Sequence, residues 1–319
     1  MEELAFPVVG IVGETASGKT AFSIALAKAL GGPDHAEIIS ADAMQLYRGM
    51  DIGTAKATSD ERGGIFHRQI DVLDVADEAS VAAYQRESRA DIRDITSKGK
   101  VALVVGGSGL YISAALDELD FPGTDPSLRR ALEQRVANEG LGSLIDELTQ
   151  KDPVSARTID IHNPRRVIRA LEVVCLTGRS YTPVFPPHTS HFTPTLMLGV
   201  RRERDVLNEA ISQRAAAMFE HGLLEETAAL LEHGLAYSAT AKKATGYAQA
   251  IDVLEGRLSV QDAIESVAQA TRRLAKKQRT WFKRDQRITW IDVTSTDGNS
   301  VKECIEYHAR VQAQIIRAL

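Results

Sequence analysis

Apolar positions along the chain fall into two alternating patterns. Five short runs rich in β-branched and aliphatic residues read as buried strands: Val8 to Val12, Ile38 with Ile39, Val101 to Val105, Leu196 to Val200, and Ile288 to Val293. Between them apolar residues recur at three- and four-residue steps, predicting a helix from Gly18 to Leu30, another from Ser80 to Lys98, and a helical tail from Glu203 to Arg284. Strands alternating with helices predict an α/β fold, a mainly parallel sheet with helices on both faces. From Asp125 to Thr177 the pattern is helical without a strand, and the stretch 182–194 carries four prolines, as expected of a linker returning to the sheet. A helical insertion is therefore expected at 121–192, within a core made of 1–120 and 193–319.

The 319 residues, 44% hydrophobic and 25% charged, have the proportions of a globular protein, and no apolar run is long enough to span a bilayer. Two glutamates precede the first apolar run, unlike a signal or transit peptide. Cys175 and Cys304 are too few for a disulfide scaffold or a zinc site, so a cytoplasmic location is expected. The net charge of −5 argues against a nucleic-acid partner until its distribution is considered. Residues 163–179 carry a net +3 and residues 269–287 a net +7, leaving −15 for the remainder. Because screening confines each charge to about 10 Å, an acidic body with two basic islands still binds a polyanion locally.

Gly13-Glu14-Thr15-Ala16-Ser17-Gly18-Lys19-Thr20 matches the phosphate-loop pattern G-x-x-x-x-G-K-[ST] between a strand and a helix. The backbone amides of such a loop and the positive end of the helix cradle a di- or triphosphate, Lys19 adds a charge, and the Thr20 hydroxyl is a candidate ligand for Mg²⁺. Asp42 follows the second strand, where parallel sheets face their ligands. Two readings stay open for it: a carboxylate serving a metal or accepting a proton, or an aspartate that caps a turn. The third strand ends in Gly106-Gly107-Ser108-Gly109 with no acid, unlike many P-loop ATPases. These glycines are expected to let a ligand approach the backbone, with Ser108 offering a hydroxyl.

Asn163-Pro164 is a helix start, and the helix carries Arg165, Arg166 and Arg169 against a single acid, Glu172. The residues alone leave a solvated basic face and a nucleic-acid contact both open. In the second island Ile264, Val267, Thr271, Leu274, Gln278 and Trp281 trace a core-facing stripe, with Phe282 beside it as core packing. The cations then occupy the other faces as undirected electrostatics for an RNA backbone. Arg214 is either a diphosphate clamp or a surface arginine, and His67 reads as a polar surface or loop residue.

The segments GETASGKT, DAMQLYRGMDIGTAK, GGSGLYI, NPRRVIRALEV, ATGY and KKQRTWFKRD, in this order over residues 10 to 285, resemble the tRNA dimethylallyltransferases, the bacterial tRNA isopentenyltransferase family. Tyr47 to Lys56 is the most specific part and the phosphate loop the least. The resemblance implies transfer of a dimethylallyl group from dimethylallyl diphosphate to the exocyclic amine of the tRNA adenine immediately 3′ of the anticodon, releasing diphosphate. It implies a core similar to P-loop nucleotide kinases, with a helical insertion gripping the anticodon stem-loop, Mg²⁺ as cofactor and a monomeric enzyme. On this view Gly13, Thr15, Ala16, Ser17, Gly18, Lys19, Thr20 and Arg214 bind the diphosphate, Asp42 accepts the amine proton, and Ser108, with Asp42 a catalytic residue, stands where the family usually has threonine near the catalytic centre. Gln45, Arg129, Arg165, Arg166, Arg169, Lys243, Gly246 and Tyr247 fall at tRNA-contact positions, as do Asp42 and Ser108. Ala43 and Ala57 depart from the family's usual serine and proline. The rival readings are a small-molecule kinase, a prenyltransferase acting on free adenine nucleotides, and a non-catalytic RNA-binding protein.

Overall fold

The computed structural model of the chain describes residues 7–119, 121–181, 188, 191–294 and 300–318. The chain resolves into two compact units, Met1–Glu118 with His188–Leu319, and Leu119–Pro187.

The first unit is built on six parallel strands in the order β3-β2-β4-β1-β5-β6. They are β1 (Val8–Gly13), β2 (Ala36–Ser40), β3 (His67–Arg68), β4 (Val101–Gly106), β5 (Thr195–Arg201) and β6 (Ile288–Asp292). All six positions of β1 are buried, which is why this central strand reads as an unbroken apolar run. Helices α1 (Lys19–Ala29) and α13 (Val301–Ala318) cover one face, where Val9, Ile11, Leu103, Leu198 and Val200 pack on Phe22 and Ile305. Helices α3 (Val81–Ser97) and α4 (Gly109–Leu116) cover the other face, where a Cβ on Gly10 would meet Leu116.

The five expected strands are all present. β3 was not expected, because two polar residues carry no period; it is held by Arg68, which donates to Glu37 of β2 at 2.8 Å and to Asp91 of α3 at 3.0 Å. His67, expected as a loop residue, is therefore part of the sheet edge. α2 (Ser59–Arg62) was also not expected, although its capping box, Thr58 with Glu61, is visible as T-x-x-E. The helical tail comprises α9 (Arg204–Glu220), α10 (Leu223–Glu232), α11 (Tyr247–Leu254) and α12 (Val260–Phe282). Most of the proline-rich stretch 182–194 lies outside the described residues. Of the rest, Phe192 donates its N–H to Leu116 at the end of α4.

The second unit contains α5 (Pro126–Glu139), α6 (Leu141–Lys151), α7 (Pro153–Thr158) and α8 (Pro164–Thr177), closed on Leu132, Leu144, Leu148, Val167 and Leu171. Asn163 caps α8 by accepting the Arg165 N–H at 3.1 Å, and Gly178 ends it in the left-handed region. Glu172 is 0% exposed and forms the polar centre of this unit. Its carboxylate accepts from Arg129 at 2.7 Å, from Arg169 at 2.6 Å and from the Asp125 N–H at 3.1 Å. These partners hold its carboxyl below the usual range against the opposing effect of burial. Removing it takes the shared carboxylate from two partly buried guanidinium groups, so Glu172→Ala is expected to destabilise this unit by about 3–5 kcal/mol. Chemical denaturation followed by circular dichroism checks this; an unchanged midpoint would contradict it.

Candidate active site

The loops after β1, β2, β4 and β5 all leave the sheet at its carboxyl edge, where open parallel sheets bind ligands. The loop after β1 turns through Ala16 (φ 61°) and Gly18 (φ 98°), both left-handed, before entering α1. A Cβ at Gly13 would lie 2.2 Å from the Val200 carbonyl, so only glycine fits there. The Lys19 ammonium donates to the Glu14 carbonyl at 2.6 Å. Burial pushes Lys19 down to about 8; the charges of Asp42 and Glu14 counter part of that, and Arg214 adds to it.

Two other helices clamp this loop. From α12, Gln278 accepts the Thr15 N–H at 2.8 Å, while Arg279 pairs with the Glu14 carboxylate, Nη2 donating to Oε2 at 3.0 Å. From α9, Arg214 reaches the Thr15 hydroxyl at 3.5 Å. Burial lowers the Arg214 pKa and Asp42 partly restores it. Asp42 fits the turn-capping reading, since one carboxylate oxygen accepts the Met44 N–H at 2.9 Å, and it also lines the cavity, where the other reading would place it.

Two cavities meet here and share Thr15, Asp42, Thr54, Arg214 and Leu274. The larger, about 990 Å³, follows the phosphate loop past Lys19 and Thr20. The smaller, about 260 Å³, has apolar walls of Met44, Ile211, Ala215, Met218 and Val267, with Asp42 and Arg214 in its lining. Leu274, expected in the core, is 42% exposed and belongs to this wall. Thr271 joins it, whereas Gln278 of the same stripe serves the phosphate loop.

One wall is the segment Tyr47 to Lys56. Its peptide N–H groups at Asp51, Ile52 and Gly53 all point at the Glu226 carboxylate of α10, at 3.1, 2.9 and 3.4 Å. The Tyr247 hydroxyl donates to the same carboxylate at 2.5 Å. Lys56 is buried and donates to the Tyr47 carbonyl at 2.6 Å and to Asp51 at 2.7 Å. Gln45 accepts from the Ser40 hydroxyl at 2.9 Å and donates to the Thr54 carbonyl at 3.2 Å.

Several expected contact residues acquire other tasks. Tyr247 is 0% exposed with its ring against Gly53, so it positions the loop and is closed to an RNA; Gly246 beside it is buried too. Lys243 is exposed at the rim of the smaller cavity. Arg129 and Arg169 are committed to Glu172, so the single acid of that island neutralises more than its place on the helix indicates; Arg165 and Arg166 are exposed. Gly106, Gly107 and Gly109 were expected to admit a ligand. Added Cβ atoms there would strike Ala41, Gln278 and Trp281, so all three glycines admit the protein's own chain, while Gly106 and Gly107 also line the larger cavity. Ser108 begins α4 without a side-chain cap and lies outside the lining of both cavities. Of the second island, Arg279 and Arg287 are held in ion pairs, and Arg272, Arg273, Lys276, Lys277, Lys283 and Arg284 are exposed. Sequence reasoning missed the roles of Glu226, Gln278 and Arg279, whose partners lie far away along the chain, and of Lys56, which reads only as part of its segment.

A model of the IPP transferase family matches residues 45–285. The chain belongs to the IPP transferase family. It is 50% identical over 285 residues to a tRNA dimethylallyltransferase of Paenarthrobacter aurescens, covering 89% of this chain and 90% of that one. It is 46% identical to that of Corynebacterium efficiens, covering 95% and 99%. Among solved structures, a full-length tRNA isopentenylpyrophosphate transferase of Bacillus halodurans superposes with a TM-score of 0.67 at 37% identity, covering 98% of both chains. A eukaryotic dimethylallyltransferase acting on tRNA gives 0.76 at 26% identity, covering 90% of this chain and 74% of that one.

In this IPP transferase the Glu226 anchor generates a prediction. Glu226→Ala frees three peptide N–H groups and the loop that carries Gly53 and Thr54 into the cavity wall. Such loosening is expected to lower turnover by about 10²-fold, as a 1 Å misplacement does, with a smaller change in overall stability. Steady-state kinetics beside thermal unfolding checks this, and wild-type turnover would contradict it.

Proposed function

We propose that the chain transfers a dimethylallyl group from dimethylallyl diphosphate to the exocyclic amine of the adenine immediately 3′ of the anticodon in tRNA. The observation that carries the proposal is the apolar chamber of about 260 Å³ between the phosphate loop and Asp42. It suits a five-carbon chain whose diphosphate rests on the loop and whose first carbon faces a carboxylate. Met44, Ile211, Ala215, Met218 and Val267 suit a hydrocarbon chain there, beside the polar Asp42, Arg214 and Lys243 of the same lining. The names of the relatives agree with this reading.

An exocyclic amine is a weak nucleophile, so the reaction depends on a well-stabilised leaving group. The nitrogen lone pair forms the new C–N bond, the C–O bond breaks, and its electron pair leaves on the diphosphate. Loop amides, Lys19 and Arg214 receive that charge in a site already desolvated, where each contact is stronger than in water. Asp42 accepts the amine proton. The adenine must leave its stack to arrive, at a cost of a few kcal/mol that basic side chains offset. Among these, Arg165, Arg166 and Lys243 are exposed and available to an anticodon stem-loop.

Mg²⁺ belongs to this proposal. Thr20 is exposed at the start of α1 and offers a hard oxygen. Among the described residues no group of three or more His, Cys, Asp or Glu is placed to hold a metal. Thr20 is the residue that would hold such an ion beside the diphosphate. When bound it supplies further neutralisation of the leaving diphosphate. Among the described residues no helix is long and apolar enough to cross a membrane; a tRNA substrate supports a cytoplasmic reaction.

Incubation with radiolabelled dimethylallyl diphosphate, Mg²⁺ and either unmodified tRNA or AMP tests the function. Label in tRNA alone is expected; label in AMP, or in neither, would overturn it. Asp42→Asn is expected to cut single-turnover rates at least ~100-fold while leaving tRNA affinity within about twofold; an unchanged rate would remove Asp42 from the mechanism. The low Lys19 pKa sets a pH dependence. Lys19 must be charged to hold the diphosphate, and it loses its proton in the free protein above about 8. The KM for dimethylallyl diphosphate is therefore expected to rise from about pH 8 upward, by at most about tenfold per pH unit. A profile flat to pH 9.5, or one that persists in Lys19→Arg, would contradict this.

A further inference from the structure

Arg202 follows β5 and lies against the residue at which the phosphate loop becomes α1. A Cβ placed on Gly18 would sit 3.1 Å from its Nη2 and 3.8 Å from its Cζ, so the guanidinium covers that glycine. Its Nε is sealed from solvent without a hydrogen-bond partner, and among the described residues no carboxylate pairs with it. Burial alone lowers its pKa, and no neighbouring acid restores it. Arg68, Arg279 and Arg287, by contrast, all rest on carboxylates. A partly buried cation without a counter-charge is unfavourable unless an anion arrives. Arg202 lines the larger cavity together with Gly18, Lys19 and Thr20, and it takes no part in the scheme above.

Arg214 and Arg202 approach opposite ends of the loop, at Thr15 and at Gly18. Arg214 also lines the apolar chamber, and Arg202 does not. With the prenyl chain in that chamber, the phosphate bonded to it lies at the Thr15 end, and the outer phosphate extends along the loop toward Gly18. We propose that Arg202 binds the outer phosphate of the allylic diphosphate, and of the diphosphate released from it. This assignment rests on the reading of the chamber given above. Arg202 is then a specificity residue, distinguishing a diphosphate from a monophosphate leaving group.

The test compares wild type with Arg202→Ala and Arg202→Lys, using inorganic diphosphate and dimethylallyl monophosphate as inhibitors competing with dimethylallyl diphosphate. Arg202→Ala is expected to raise the KM for dimethylallyl diphosphate and the inhibition constant of inorganic diphosphate at least tenfold. The monophosphate, which lacks the outer group, is expected to bind as in wild type, and lysine is expected to restore part of the loss. Equal losses for both inhibitors, or no loss for either, would overturn the assignment. So would a rise confined to the KM for tRNA, which would make Arg202 an RNA contact. If Arg202→Ala does not fold, as judged by thermal unfolding, the same comparison in Arg202→Lys and Arg202→Gln decides. Direct calorimetry with inorganic diphosphate separates this from the function itself. Arg202-dependent binding by a wild-type protein that puts no label into tRNA would retain the anion site and discard the prenyl transfer.

Discussion

Two half-buried cations, Lys19 and Arg214, stand at the end of a parallel sheet with Asp42 as the acid that both of them feel. Each alone is disfavoured by desolvation, and together they repel. The rest of the site exists to hold them there. α12 grips the loop through Gln278 and Arg279, and α9 delivers Arg214 to Thr15. The two helices pack on one another through Ile211, Ala215, Val267 and Ala268, so a shift in either disturbs the same loop. The arrangement is preorganised for incoming negative charge, because part of the desolvation of its cations is in place before a ligand arrives.

The same constraint gives shape to the apolar half of the site. A phosphate cradle alone binds many ligands. Here its Thr15 end opens into a chamber whose walls come from α9, α12 and the loop anchored on Glu226. The carboxylate of Glu226 satisfies three successive peptide N–H groups, so the loop presents Gly53 and Thr54 in one conformation. Tyr247 adds its hydroxyl to that carboxylate and packs its ring against Gly53. Much of the segment most specific to the family is thus scaffold, and its chemistry is the placement of a wall.

What the sequence disclosed follows from how local each signal is. The phosphate loop and the capped α8 are contiguous and carry their own chemistry, so their residues are legible directly. β1, β4 and β5 are legible because strands buried on both faces are nearly all apolar, and β2 and the edge strand β6 through short runs about Ile38 with Ile39 and Ile288 with Ile291. β3 is two polar residues held by Arg68, and no period announces it. The clamp from Gln278 to Thr15 spans 263 positions and that from Glu226 to Ile52 spans 174; Gln278 reads only as one more residue of the core-facing stripe, and Glu226 as one of two adjacent glutamates in the first turn of α10. The glycines after β4 were legible as close approach but not as approach by Gln278 and Trp281. The basic island of α8 misled in the other direction, because a buried glutamate accepts its Arg169 together with Arg129 from α5.

The central claim is that the phosphate loop holds a leaving group and not a phosphoryl donor. The most direct measurement counts products in one quenched turnover of wild-type protein with tRNA, dimethylallyl diphosphate and no nucleotide. The account predicts one inorganic diphosphate released for each dimethylallylated adenosine formed. A requirement for ATP, or diphosphate released without modified RNA, would contradict it.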